Sequence, residues 1–212
     1  AAAVYPARLH ALMISDIPGD DPAYIGSGPT VGDASTPEDV LAVLDKWNIE
    51  VPASVTTALR KGSGVIFPGD KRLSTTENHI YAAPAQSLAV ASELAQSAGC
   101  DVRLLGDALE GEARDVAQAH ADMALAIARE RKPGDAPVLL LSGGELTVTR
   151  RGGGIGGPNA EYCLALAVAL DGAPGIHAIA CDTDGVDGAA EVAGAIIGPE
   201  TLVKAQKSET DP

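Results

Sequence analysis

Short apolar runs of strand length alternate along this chain with alanine-rich stretches of helical periodicity, and that alternation commits it to an α/β fold. Leu9–Ile14 (LHALMI), Asp101–Leu105, Val138–Leu141, Leu146–Arg150 and Ile176–Ala180 read as strands. Pro84–Ala98, residues 110–131, Asn159–Leu170 and Gly188–Ile197 read as helices. The composition says what such a core is made from. Hydrophobic residues make up 46% of the chain but aromatic residues only 3%, so small aliphatic side chains must fill the space between helices and buried strands.

Local signals sharpen several boundaries. Thr36, Pro37 and Asp39 have the order of a helix cap, a first-turn proline and a near capping box, with Val40, Leu41, Val43, Leu44 and Trp47 on the apolar face behind them. A second short helix is expected over Pro52–Lys61, followed by an irregular stretch at residues 62–79 that is the natural place for a domain crossing. Gly99 is positioned to stop the helix that starts at Pro84. Glu110 and Arg114 are spaced as an i,i+4 pair on the longest expected helix. Cys100, Cys163 and Cys181 are odd in number, lack CxxC spacing and read as reduced core thiols.

The formal net charge is −14, and the basic residues form no group larger than Arg129–Lys132 and pairs such as Arg150-Arg151. A phosphate backbone or an anionic membrane would be repelled by that field, so no nucleic-acid or membrane partner is expected. No apolar run nears the length of a membrane span and no signal-peptide pattern opens the chain, which favours the cytoplasm. The chain opens without Met, in what reads as the end of a helix, and further sequence is expected at both ends. A homo-oligomer is left open.

Chemistry concentrates in three places. The glycine-rich run 152–157 formally satisfies GxGxxG and could be a dinucleotide turn, a mobile surface turn or an anion cradle of bare backbone amides. Cys181-Asp182-Thr183-Asp184-Gly185-Val186-Asp187 follows an apolar strand, and its carboxylates suit Mg²⁺, although Asp187 could instead cap a helix. It is not an EF-hand, because the glycine stands fourth and position twelve is Ala193. Ser142-Gly143-Gly144-Glu145 is either a tight turn or a strand end that lets a ligand approach the backbone. The Pro/Gly/Asp-rich loop from Ser15-Asp16 to Asp33 has the same two readings. His10, His79, His120 and His177 are scattered and receive no role.

Taken in order, SDIPGDDPAYIGSGPT, LLGDALEGEA, LLLSGGELTVT, GGGIGGPNAEY and CDTDGVDGAAEVAGAII resemble the MOFRL-containing glycerate 2-kinases, a group often labelled hydroxypyruvate reductase of tartrate degradation. The resemblance implies the end of a Rossmann-like domain over residues 1–75 and a second α/β domain with a mixed sheet over 76–212, with the MOFRL region at 137–212. It implies ATP and Mg²⁺ as cofactors, D-glycerate as the small-molecule substrate, and phosphoryl transfer to the 2-hydroxyl in a cleft between two domains. Asp16, Glu145, Asn159 and Asp184 fall on positions that look functional in that family. The corresponding expectation gives catalysis to Asp16, Glu145 and Asp184, with Asp16 or Glu145 as base or orienter, and the metal to Asp184 and Asp187. Phosphate contact falls to Ser142, Gly143, Gly144, Gly154, Gly156, Gly157 and Asn159. An NAD(P)H-dependent hydroxypyruvate reductase and a non-catalytic nucleotide-binding module are the rival readings. The family's amino-terminal segments, with a lysine taken to be catalytic, have no counterpart here, so this chain alone is expected to be inactive. Many members also carry arginine where this sequence has Pro158, a clamp that Arg150 or Arg151 would have to replace.

Overall fold

The computed structural model describes residues 1–62 and 64–208. By compactness the chain divides into two units, Ala1–Ser87 and Leu88–Pro212.

In the first unit, β1 (Leu9–Ile14) pairs in parallel with β2 (Thr76–Ala82), from Leu9 opposite Thr76 to Met13 opposite Ile80, before a bulge brings Ile14 to Ala82. The connection between them carries α1 (Pro37–Lys46) and α2 (Ala53–Lys61). α1 starts where its capping box demands: Asp39 N–H donates to Thr36 Oγ1 at 3.2 Å, and Thr36 N–H donates to the Asp39 carboxylate at 2.8 Å. β2 begins inside the stretch expected to be irregular. Its sequence, TENHIYA, lacks an apolar run, and the strand is held by pairing with β1 instead of by burial of its own side chains.

The second unit begins within α3 (Pro84–Ser97), which is followed by Gly99 at φ +88°. β3 (Asp101–Glu112) and β4 (Val138–Thr147) form a parallel pair, with α4 (Ala113–Glu130) between them. α5 (Pro158–Leu170) leads to the antiparallel pair β5 (Ala178–Cys181) and β6 (Gly194–Ile197), and α6 (Thr201–Lys207) closes the described chain. Parallel and antiparallel pairs in one unit make the mixed α/β class. Its core is small and aliphatic: Ala117 and Ala121 of α4 pack with Cys163, Leu166, Ala167 and Leu170 of α5 and Ile197 of β6. Alanines spaced four apart let the two helices approach closely, as the shortage of aromatic residues requires.

Three expectations are corrected here. Residues 110–112 are strand, not helix, so Glu110 stands opposite Glu145 across the sheet, and Arg114 pairs with Glu161 of α5 instead of with Glu110. Ser142–Glu145 is no turn between two strands, because β4 runs straight through it. Residues 188–197 contain β6, not a helix: Gly188 adopts φ +61°, and the backbone of Gly194 lies so close to Ala180 that a side chain there would collide with it. Among the described residues no helix is long and apolar enough to cross a membrane.

Candidate functional site

The loop joining β5 to β6 is pinned at its base. Asp182 N–H donates to Ala193 O, and Asp187 N–H donates to Val192 O, both at 2.7 Å. Within it the Asp184 N–H turns back onto Asp182 Oδ1 at 3.1 Å. That turn brings two carboxylates together. A hydrogen bond shared with the Asp184 side chain raises the Asp182 pKa; the Asp184 amide pulls it the other way, while desolvation and the negative charge of Asp184 push it up further. A half-buried acid and an exposed one in this relation are short of a cation.

Asp187 is the opposite case, because it is fully buried. Its Oδ1 accepts from the Asn159 N–H at 3.0 Å and the Asn159 side-chain amide at 3.1 Å, and its Oδ2 accepts from the Ala160 N–H at 2.8 Å. Both oxygens therefore serve the first turn of α5, where unsatisfied amides and the positive end of the helix dipole favour a carboxylate. Asp187, expected at the metal, has both oxygens engaged by α5, and Asn159, expected at a phosphate, donates its side-chain amide to Asp187.

The glycine run is the partner of this loop. A Cβ at Gly157 would collide with the Asp187 backbone and carboxylate, and one at Gly188 would lie 2.8 Å from Gly156 O. Ala189 N–H also donates to Gly156 O at 3.3 Å. Glycine at 157 and 188 is thus explained by the close approach of the two loops. Gly152, Gly153 and Gly154 are exposed with open space around them, and Arg150 Nε donates to Gly152 O at 3.1 Å. A cation therefore already stands at the glycine run.

Glu112, which precedes α4, fixes the approach to that run. Its carboxylate accepts from Thr149 N–H at 3.1 Å and Thr149 Oγ1 at 2.8 Å, bonds that hold its pKa down, helped by Arg151 and Arg114. Ser142 and Gly143 are half-buried in β4, and Gly143 faces Leu88. Gly144 has no room for a side chain because the Leu109 backbone lies against it, so the glycine pair serves a bulge between β3 and β4. Glu145 is exposed just beyond the bulge. Asp16, exposed one residue past buried Ser15 at the carboxyl end of β1, belongs to the first unit. Asp182 was part of the recognised aspartate motif but had no assigned role, and Arg150 was only a substitute candidate. Their local hydrogen bonds are what single them out.

The comparisons with known proteins agree with these motifs. Residues 138–212 match the MOFRL family, and residues 1–60 match a domain of unknown function, DUF4147. A protein of Agrobacterium vitis named putative hydroxypyruvate reductase is 44% identical over all of this chain and 48% of its own length. The D-glycerate 2-kinase of Thermotoga maritima is 34% identical over all of this chain and 49% of its own length. A crystal structure of glycerate kinase from Thermotoga maritima superposes with a TM-score of 0.82 at 35% identity, again over all of this chain and 50% of that one. The chain spans about half the length of these relatives.

Proposed function

This chain belongs to the MOFRL-containing family whose members include glycerate 2-kinases, and on that premise we propose that the protein carrying it transfers the γ-phosphoryl group of ATP to the 2-hydroxyl of D-glycerate. One observation carries the reading: the loop that holds the close Asp182–Asp184 pair packs through Asp187–Ala189 against Gly156 and Gly157, the end of a glycine run whose exposed start is met by Arg150. A polyphosphate with its divalent ion requires those three ingredients: hard oxygen ligands, bare amides and a cation.

Asp182 and Asp184 are the residues to hold Mg²⁺, because their mutual repulsion is relieved by a cation between them. When bound, the ion neutralises phosphate charge. Amides of Gly152–Gly154 and Gly156, with the Arg150 guanidinium, hold the phosphates; Ser142, Gly143 and Gly144 shape the neighbouring strand. Asp187, through Asn159 and Ala160, positions the loop without touching substrate. In the reaction the glycerate 2-hydroxyl oxygen bonds to the γ-phosphorus, the bond to the β–γ bridging oxygen breaks, and ADP leaves. The hydroxyl proton passes to a carboxylate, Asp16 or Glu145. In this reading residues 1–75 close a Rossmann-like domain, residues 76–212 build most of the second, and the reaction is cytoplasmic.

The test uses the full-length protein in two assays, D-glycerate with ATP and Mg²⁺, and hydroxypyruvate with NADH. Formation of ADP and 2-phosphoglycerate is expected. NADH consumption without ADP formation would overturn the proposal.

A further inference from the structure

Three side chains in the first unit converge in a way that linear spacing hides. His10 on β1 stands opposite Glu77 on β2, and the next position on the same face of β2 is His79, opposite Leu12. Because side chains alternate across a strand and paired positions share a face, all three project to one side. His10 Nδ1 lies 3.4 Å from Glu77 Oε2, and His79 Nε2 lies 3.7 Å from the same oxygen. All three ligand atoms fall within 4.8 Å of one another.

From this arrangement we infer a transition-metal site, formed by His10 Nδ1, Glu77 Oε2 and His79 Nε2 and suited to Zn²⁺. Bonds of about 2.0–2.1 Å to zinc imply donor-to-donor separations of roughly 3.4 Å around a tetrahedron, close to the two distances found. The imidazole rings are nearly parallel, 13° apart with centroids separated by 6.2 Å, and each brings one nitrogen to the shared carboxylate oxygen. Arg8 Nη2 donates to the other oxygen, Glu77 Oε1, at 3.3 Å, leaving Oε2 to the imidazoles. That is the orienting contact expected behind a metal-binding carboxylate. Two imidazoles and a carboxylate select zinc or its neighbours over Mg²⁺, which prefers oxygen donors alone. Three protein ligands leave a fourth position for water. All three residues are exposed, so the ion can enter from solvent, and its effect is to cross-link β1 to β2.

The site is independent of the phosphoryl-transfer reading and is tested without an activity assay. The full-length protein, stripped with chelator and dialysed, is titrated with Co²⁺ followed by visible absorption, and with Zn²⁺ in competition. One equivalent should bind with a nitrogen-containing, low-coordinate cobalt spectrum that excess Mg²⁺ does not displace. His10→Ala and His79→Ala should each weaken Zn²⁺ binding at least ~10-fold, the effect seen when only an outer partner of a metal ligand is lost. Glu77→Gln, which keeps the shape of the carboxylate, should do the same. Equal Zn²⁺ affinity in the wild type and the His10→Ala/His79→Ala double variant, or a cobalt spectrum of oxygen ligands only, would overturn the site.

Discussion

The buried carboxylate of Asp187 offers the sharpest test, because capping and metal binding predict different consequences for its removal. Asp187→Ala leaves the amides of Asn159 and Ala160 without their acceptor. These amides are part-buried, so a cost toward the lower end of the range for an orphaned donor applies, about 1–2 kcal/mol each or ~2–4 kcal/mol together. Asp187→Asn retains one acceptor oxygen and loses the charge that favours the helix terminus, a smaller cost of about 0.5–2 kcal/mol. Hydrogen–deuterium exchange of the peptide spanning 158–163 in the full-length protein reads this locally. At tenfold per ~1.4 kcal/mol, the protected amides of that turn should exchange at least ~30-fold faster in Asp187→Ala and less so in Asp187→Asn. The Mg²⁺ concentration giving half-maximal activity should be unchanged in Asp187→Asn. A raised Mg²⁺ requirement with wild-type exchange at α5 would refute the capping argument and return Asp187 to the metal.

The other predictions concern the same surface. Asp184→Asn should lower kcat by about 100-fold and raise the Mg²⁺ requirement, measured by ADP release, if it helps hold the ion. Gly157→Ala forces a methyl group against Asp187 and should destabilise the second unit by about 1–3 kcal/mol, visible as a lower urea midpoint for its unfolding. The folded pKa of Asp182 is raised, so over the window from the ordinary aspartate value upward the folded state holds more protons than the unfolded one. Stability therefore falls as pH rises through that window and stays reduced at neutral pH. Added Mg²⁺ should raise the thermal midpoint at neutral pH and lose this effect as pH falls through the raised Asp182 range toward the ordinary aspartate value. Equal Mg²⁺ stabilisation in Asp182→Asn/Asp184→Asn would remove the pair from the site.

Elements whose own side chains bury or cap them were readable in advance. β1 has the bounds that its apolar run suggests, α1 starts at Pro37 behind the Thr36 capping box, and α5 differs from the expected helix only by starting at Pro158. The failures share another cause: long-range backbone contact decided the conformation. β2 is polar and exists by pairing with β1. β3 continues past its apolar start through Gly106 and Gly111, both at positive φ, where propensity gives no strand signal. β4 runs through Ser142–Glu145 because Leu109 lies against Gly144. For the site, the residue types in the aspartate loop were visible, but not their division of labour. Only the fold distinguishes a buried acid satisfied by helix amides from two accessible acids brought together by a turn. The His10–Glu77–His79 group was invisible because two strands distant in sequence supply it.

The occupied start of α5 also bears on the choice between kinase and reductase. A GxGxxG turn binds a dinucleotide by offering the pyrophosphate the free amides at the beginning of the following helix. Here the Asn159 and Ala160 amides are already bonded to Asp187, and the absence of a side chain at Gly157 lets that carboxylate lie against the turn. An incoming pyrophosphate would have to displace a buried, charge-assisted set of hydrogen bonds and would meet a like charge. The exposed glycines lie earlier, at Gly152–Gly154 beside Arg150. That displacement of the anion position away from the helix axis favours a phosphate chain held between a flexible glycine run and a metal over a dinucleotide clamped on a helix dipole. It also gives Pro158 a physical place: a residue without an N–H, at the first helical position, takes nothing from a cap that Asp187 already supplies.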